Sequence, residues 1–415
     1  MVKIQSDPKV YAVDAHGTLR WVQTEQVAVS LYGSDWNRQI DDISVAFFPY
    51  YRIGAPIASA ADFNRVAVQQ ASPTISIDKQ LNVPEPDPAT DYLIISADSL
   101  FSSALKLRDY RASRNHVAAA VSLSTISSNP TAQTIDNWIE DFRASHESLR
   151  YVVLLGDSAA LPSFSKTLVD STRILSDLNY AVTGSATSSH YLPELSIGRI
   201  PATTTAEADR YLTKIQTFES SFRHQQTMIF FGHQPEIRYA VDRDVALAED
   251  AGYSTIVLTD PSEEQLLQAI KNNDVAAVWY YGHGNWYIND PFTIDTIAKL
   301  QNATYPFLYF SGGCGFGDAT STHGSISQSL LLSDVGAGAA MGASQNGGYG
   351  FDYLFIVGVL NVIGQSSTIG DILSGGLLAV DHAAKQPNSG ISSPVASYEF
   401  FERMSIVGDP AMRLR

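Results

Sequence analysis

Cysteine is almost absent from this sequence, and long apolar runs do not occur in it. Cys314 is the only cysteine among 415 residues, which excludes an internal disulfide and a cysteine-rich metal site. No run of 18 uncharged apolar residues is present, so no segment is typical of a transmembrane helix. The first residues also lack the apolar core of a secretion signal, although such a leader can be removed from a mature chain.

Basic residues are few as well. The sequence has 27 Lys and Arg against 43 Asp and Glu, which gives a net charge of −16. Such a charge repels nucleic acid and anionic lipid head groups, so we expect neither as a partner. The hydrophobic content of 45% and charged content of 17% are typical of a folded globular protein.

The N-terminal part of the sequence differs from the rest. Residues 1–72 are rich in aromatic residues and predict a small α+β module, with a hairpin around Asp14–Gly17 and a short helix over Thr24–Leu31. Residues 73–90 are polar and punctuated by prolines, which predicts a linker.

Short apolar runs alternate with helical patterns from residue 91 onward, which predicts α/β structure with parallel sheets and crossover helices. We place one α/β subdomain at 91–222 and a second, which carries the candidate site, at 223–415. The predicted strands are Tyr92–Ser96, Val117–Ser122, Tyr151–Leu155, Met228–Phe231, Thr255–Leu258, Val275–Tyr281, Phe307–Ser311 and Ala337–Gly342. The predicted helices include Thr134–His146, Ala206–Ser220, Arg238–Gly252 and Glu263–Lys271.

Two of these strands end in glycine-rich turns that carry reactive side chains. Val275–Tyr281 is followed by Gly282-His283-Gly284, and Phe307–Ser311 is followed by Gly312-Gly313-Cys314. Sites in open parallel sheets form at the carboxyl ends of strands. A crossover helix over Asp295–Asn302 would connect the two strands, and consecutive strands are commonly neighbours. We therefore expect the histidine and the cysteine to face one cleft.

A histidine beside a cysteine can cleave peptide bonds. The Cys314 thiolate would attack the carbonyl carbon, and His283 would stabilise that thiolate and later protonate the leaving amine. Water would then hydrolyse the thioester, and no catalytic cofactor is required. Because glycine has no Cβ, the amides of Gly284 and Cys314 can approach the carbonyl oxygen as an oxyanion hole.

Other interpretations of these residues stay open. A single cysteine near a strand end is commonly inert packing, and Gly-His-Gly commonly forms a tight turn. His233 also follows a predicted strand and competes with His283 as the base. Either Glu236 or His233 would orient the base, although Glu236 also fits a solvated loop acid. The sequence has no His-Glu-x-x-His and no Gly-x-Gly-x-x-Gly ahead of a helix, which disfavours zinc hydrolysis and dinucleotide binding.

The sequence resembles the gingipain family of cysteine peptidases over about residues 91–415. The similar motifs are, in chain order, Tyr151–Asp157, Ser196–Pro201, the two glycine-rich turns and Val407–Leu414. This resemblance implies the caspase-like fold, with two adjoining, mostly parallel sheets flanked by helices. It also implies a dyad of His283 and Cys314 and protein or peptide substrates.

The resemblance further implies a bacterial endopeptidase that is secreted or held at the cell surface, with calcium as a structural ion. Some relatives use the same dyad as sortase-like transpeptidases, which stays an alternative. A catalytically inactive binding or scaffold protein is a further alternative, because a fold does not guarantee its chemistry. Residues 1–72 would be a prodomain or a surface module.

A substrate pocket is expected from the segment that follows the predicted strand Ala337–Gly342. In family members that cleave after basic residues, an aromatic wall and an acid line this pocket, and Tyr349 and Asp352 match these roles. Asp352 fits equally well as the first-turn acid of a helix. Arg238 stands near the place where arginine-specific relatives carry an aspartate, so the resemblance favours lysine over arginine. Trp286 would line the cleft or pack beneath it.

Overall fold

The computed structural model describes residues 1–4, 7–14, 17–43, 48, 51–71, 86–317, 324–344, 351–386 and 394–414. The chain divides into two compact units, residues 1–85 and 86–415. Most of the predicted linker, including residues 73–85, lies outside the described residues.

The N-terminal unit contains a small sheet with the strand order β4-β1-β2-β3-β5. The predicted hairpin is confirmed, because β2 and β3 pair in antiparallel orientation. The predicted helix is also present, and the Thr24 side chain caps it by accepting a hydrogen bond from the Val27 amide at 3.3 Å. The elements are β1 (Val2–Ile4), β2 (Asp7–Asp14), β3 (Thr18–Trp21), α1 (Glu25–Tyr32), β4 (Asp41–Asp42), β5 (Arg52–Ile53) and α2 (Arg65–Ala71).

The C-terminal unit is built around one large sheet with two small hairpins beside it. Its strands are β6 (Tyr92–Ser96), β7 (Ala118–Ser122), β8 (Tyr151–Leu155), β9 (Phe164–Thr167), β10 (Arg173–Ser176), β11 (Ser196–Ile200), β12 (Thr227–Gly232), β13 (Ser254–Thr259), β14 (Val275–Tyr281), β15 (Ile288–Asn289), β16 (Phe292–Thr293), β17 (Phe307–Ser311), β18 (Ala337–Ala343) and β19 (Met404–Val407).

The ten strands of the large sheet follow the order β13-β12-β14-β17-β18-β19-β11-β8-β6-β7. Strands β13 to β18 are mutually parallel, and so are β19 to β7. The two halves meet where β19 pairs with β18 in antiparallel orientation. The two adjoining, mostly parallel sheets expected from the sequence are therefore joined into one.

The terminal strand β19 belongs to the second predicted subdomain, yet it continues the sheet of the first. Its Val407 pairs with Arg199 of β11 in parallel orientation. The subdomain boundary at residue 222 stays a prediction. Strands from both predicted subdomains, 91–222 and 223–415, belong to the same continuous sheet.

Helices pack against both faces of this sheet and bury their apolar sides on it. Most begin with a side chain that caps the first turn, as Ser262 and Gln265 do through reciprocal hydrogen bonds. The helices are α3 (Phe101–Ser113), α4 (Leu123–Ile126), α5 (Ala132–Ser145), α6 (Thr205–Ser221), α7 (Val241–Asp250), α8 (Glu263–Lys271), α9 (Ile294–Ile297), α10 (Ile326–Leu332), α11 (Phe351–Ile363), α12 (Ile369–Ala384) and α13 (Pro394–Arg403). None of the helices in the described ranges is long and apolar enough to cross a membrane.

The connection between β14 and β17 differs from the predicted crossover helix over Asp295–Asn302. Only α9 forms there, preceded by the antiparallel hairpin of β15 and β16. After α9 the amides of Lys299 and Leu300 donate to carbonyls three residues back, so the chain tightens into turns and the helix ends.

A buried ion cluster connects the segment that follows β19 to α3, α6 and β6. The Arg111 side chain is fully buried, with its Nε 2.9 Å from Asp409 Oδ2 and its Nη1 2.6 Å from Glu219 Oε1. The Tyr92 hydroxyl also donates to Asp409, at 2.6 Å. Because these charges are shielded from water, removing one partner leaves another buried charge without compensation.

We expect Asp409→Asn to lower the free energy of unfolding by about 3–5 kcal/mol, because it leaves a buried arginine charge partly uncompensated. Urea unfolding would measure the loss. The control is Lys106→Ala, which removes an exposed pair to Asp209 of 2.6 Å and should change stability by less than about 1 kcal/mol. Equal losses in the two variants would contradict this role of the cluster.

Candidate active site

The two strands that precede the candidate dyad are neighbours in the sheet. Strands β14 and β17 are parallel, and Tyr280 pairs in register with Ser311. Their carboxyl ends therefore meet at the same edge, where His283 follows one strand and Cys314 follows the other. The predicted adjacency of the two strands is confirmed.

The turns that carry His283 and Cys314 touch through their glycines. A Cβ built on Gly284 would lie 3.3 Å from the Gly313 Cα, and a Cβ on Gly313 would lie 3.3 Å from the Gly284 Cα. Gly315 has a φ of +65°, and a Cβ added to it would lie 3.2 Å from the Trp286 backbone nitrogen. Side chains larger than hydrogen would push the turns apart, so glycine is required for this contact.

Hydrogen bonds from the strands hold both turns. The Gly312 amide donates to the Tyr280 carbonyl at 3.0 Å, and the Gly313 amide donates to the Ser311 hydroxyl at 3.0 Å. In the other turn, the Tyr280 hydroxyl donates to the His283 carbonyl at 2.5 Å. The two amides that precede Cys314 are therefore already engaged.

The His283 imidazole lies on the surface of the site beside a carboxylate. Its side chain is 74% exposed, and its Nε2 lies 3.6 Å from Glu236 Oε1. Glu236 follows β12, and its carbonyl accepts a hydrogen bond of 3.5 Å from the Tyr353 hydroxyl at the start of α11. Of the two residues expected to orient the base, Glu236 is the one in contact with His283.

His233 has different partners. Its Nδ1 lies 2.8 Å from Asp260 Oδ1, and its Nε2 lies 2.9 Å from Asp290 Oδ2. The hydrogen bond to Asp260 is the main cause that raises the pKa of His233, and the charge of Asp290 adds to it. Because both ring nitrogens already face carboxylates, we do not assign His233 as the base that serves Cys314.

Cys314 is a free, partly exposed cysteine. Burial is the main cause that raises the pKa of the neighbouring Tyr280, and the charges of Asp290, Glu236 and Cys314 add to it. The Tyr280 side chain is close to both turns, because its hydroxyl donates to the His283 carbonyl and a Cβ on Gly313 would lie 3.0 Å from its Cε1.

The expected pocket residues are described only in part. Tyr349 lies outside the described residues. Asp352 lies in the first turn of α11 and is partly buried, and this burial raises its pKa to about 7, with a smaller opposing effect from Arg403. Trp286 extends the histidine turn, and its carbonyl accepts a hydrogen bond of 2.9 Å from the Ile326 amide at the start of α10.

Sequence reasoning missed Asn289, which lies beneath both turns. It is completely buried, and its Oδ1 accepts hydrogen bonds from Ser311 at 3.0 Å and from Tyr309 at 3.3 Å. In the sequence Asn289 precedes Asp290-Pro291, a pattern that indicates a surface turn. No local signal distinguishes a buried asparagine from an exposed one here, because its burial depends on β17.

A metal site is not evident among the residues that the structure describes. Within those ranges, no group of three or more His, Cys, Asp or Glu side chains is placed to hold a metal ion. The expected structural calcium stays a prediction.

Solved structures of cysteine peptidases resemble the fold. The structure of the Arg-specific cysteine proteinase gingipain R matches with a TM-score of 0.70 and 16% identity, covering 80% of this chain and 79% of that one. The complex of Porphyromonas gingivalis RgpB pro- and mature domains matches with a TM-score of 0.69 and 16% identity, covering 78% and 80%. At such identities the similarity establishes the fold alone, and it confirms the predicted caspase-like α/β class.

The family assignment comes from the sequence. No curated protein matches this chain significantly. The family model described as peptidase family C25 matches residues 85–415, which is most of the chain and contains both turns of the candidate site. The chain therefore belongs to peptidase family C25, the gingipain family, and is a cysteine peptidase.

Proposed function

We propose that the protein is an extracellular cysteine endopeptidase in which His283 and Cys314 form the catalytic dyad. The observation that carries this proposal is the contact between Gly284 and Gly313, which holds the two turns side by side at one sheet edge. The extracellular location follows from the resemblance to the gingipain family.

The reaction divides into acylation and deacylation. The Cys314 thiolate forms a bond to the carbonyl carbon, and the C–N bond breaks as the His283 imidazolium gives its proton to the leaving nitrogen. Water then attacks the thioester carbonyl while His283 accepts a proton, and the thiolate leaves. The amides of Gly284 and Cys314 would donate to the oxyanion in both steps, and each such donor is typically worth about 10²–10³ in rate.

Two acids support the proposal in different ways. Glu236 lies 3.6 Å from His283 Nε2, which suits a group that orients and stabilises the imidazolium. Asp352 belongs to α11, whose Tyr353 contacts the turn of Glu236, so the start of this helix is close to the dyad. We propose that Asp352, with Tyr349 and Trp286, forms the pocket for a basic residue before the cut, with lysine favoured over arginine.

Cys314→Ala should abolish cleavage of a diverse peptide library, and His283→Ala should lower kcat/KM by about 10²–10⁴-fold. Mass spectrometry of the acylated enzyme would locate the thioester on Cys314. The matched control is His190→Ala, because His190 is also exposed and also faces a carboxylate, with its Nε2 3.9 Å from Glu194. Cleavage that persists in Cys314→Ala would end the proposal.

Glu236→Gln should lower kcat/KM by about two- to fivefold, the effect of losing an exposed ion pair worth up to about 1 kcal/mol. Because salt screens exposed charges, the difference from wild type should shrink as ionic strength rises. Peptide hydrolysis at low and high salt measures both effects, with Glu194→Gln as the control. A loss that does not change with salt would argue against an electrostatic role.

Asp352→Asn tests the pocket through its pH dependence. Burial raises the pKa of Asp352 to about 7, so its carboxyl group gains negative charge as the pH rises through that value. In the wild type, kcat/KM for a lysine substrate relative to an uncharged one should therefore rise through about pH 7. The same ratio should be flat in Asp352→Asn and unchanged in Asp242→Asn, which alters an exposed first-turn acid of α7.

The same residue gives a stability test that does not depend on substrate. The folded state holds this proton more tightly than the unfolded chain, whose aspartate has the ordinary pKa of 3.8. The stabilising contribution is therefore complete below that value and is lost as the pH rises through about 7. Urea unfolding should show Asp352→Asn gaining stability relative to wild type over this interval. In the substrate test, a preference for lysine that does not change with pH would remove only the assignment of Asp352 to the pocket.

A further inference from the structure

Asn289 connects the two turns of the dyad although it belongs to neither. It ends β15, and Gly284 in the histidine turn forms an antiparallel bridge with it. A further hydrogen bond of 3.0 Å runs from the Asn285 amide to the Ile288 carbonyl. The backbone of the histidine turn therefore pairs directly with β15, the strand that contains Asn289.

The side chain of Asn289 reaches the cysteine turn through one hydroxyl group. The Ser311 hydroxyl at the end of β17 donates to Asn289 Oδ1 at 3.0 Å, and the hydroxyl oxygen of Ser311 itself accepts a hydrogen bond from the Gly313 amide at 3.0 Å. A chain of two hydrogen bonds thus runs from the carboxamide to the residue before Cys314. Removal of either Asn289 or Ser311 would break it.

The amide nitrogen of Asn289 occupies the space beneath both glycines. A Cβ on Gly284 and a Cβ on Gly313 would each lie 2.4 Å from Asn289 Nδ2. This nitrogen is buried and has no acceptor among the residues that the structure describes. A buried donor without an acceptor lowers stability, so an asparagine at this position is not explained by stability alone.

We propose that Asn289 is a positioning residue that sets the separation of the His283 and Cys314 turns. It does so by supporting both glycines from below and by holding Gly313 through Ser311. This inference rests on the proposed function, because it assumes that the dyad performs the reaction. Asn289 is shielded from solvent and does not contact substrate in this role, so it affects the rate through geometry.

Asn289→Ala and Ser311→Ala should each lower kcat by up to about 10²-fold, the effect of displacing reacting groups by about 1 Å, while KM changes much less. The double variant should lose no more than the larger single loss, because both residues act through one chain of hydrogen bonds. Iodoacetamide labelling of Cys314 should slow in the same variants, which reports on the thiol without substrate.

The matched control is Asn302→Ala. Asn302 is also buried and also holds backbone, since its Nδ2 donates to the Gly336 carbonyl at 2.8 Å and its Oδ1 accepts the Gly336 amide at 2.9 Å. It precedes β17, whereas the dyad lies at the carboxyl end of that strand. Asn302→Ala should lower stability in urea while kcat stays near the wild-type value.

Each outcome separates this inference from the proposed function. If the wild type cleaves peptides through Cys314 but Asn289→Ala has the kcat of Asn302→Ala at equal stability, the positioning role is wrong. Fully additive losses in the double variant would also overturn it. If Asn289→Ala does not fold, Ser311→Ala alone decides, and a wild-type kcat in that variant rejects the proposal. Cleavage that survives Cys314→Ala would instead reject the proposed function.

Discussion

The close contact of two glycine backbones is the constraint on which the candidate site depends. Gly284 and Gly313 lie so near each other that a Cβ on either would fall 3.3 Å from the Cα of the other. Because His283 directly precedes Gly284 and Cys314 directly follows Gly313 along the chain, the contact brings the backbones that carry the two residues close together. The two turns can approach each other because Gly284 and Gly313 have no side chains.

The candidate dyad and the buried ion cluster lie in different halves of the large sheet. His283 and Cys314 follow strands of the half that runs from β13 to β18, whereas the buried cluster around Arg111 belongs to the half that runs from β19 to β7. The halves meet at the antiparallel pair of β18 and β19. Substitutions in the ion cluster should therefore change stability, and substitutions in the turns should change reactivity.

Much of the fold follows from local sequence. Runs such as Val275–Tyr281 and Phe307–Phe310 are continuously hydrophobic, and the strands Val275–Tyr281 and Phe307–Ser311 have the predicted bounds because both are buried on both faces. Ser196–Ile200 and Met404–Val407 are strands that the sequence does not predict, although the first lies within a motif that resembles the family and the second overlaps one at Val407. They are less uniformly apolar, and their pairing depends on neighbours distant in sequence.

The sequence by itself determined the residue types of the site and their order. A single cysteine, a glycine-flanked histidine and two apolar runs were sufficient to predict that His283 and Cys314 lie at adjacent strand ends. Only the tertiary structure decided that Glu236 contacts His283 while His233 binds two aspartates, and that Asn289 lies beneath both turns. These contacts join separate strands across the sheet edge, and local patterns do not encode the distances between side chains that meet only after folding.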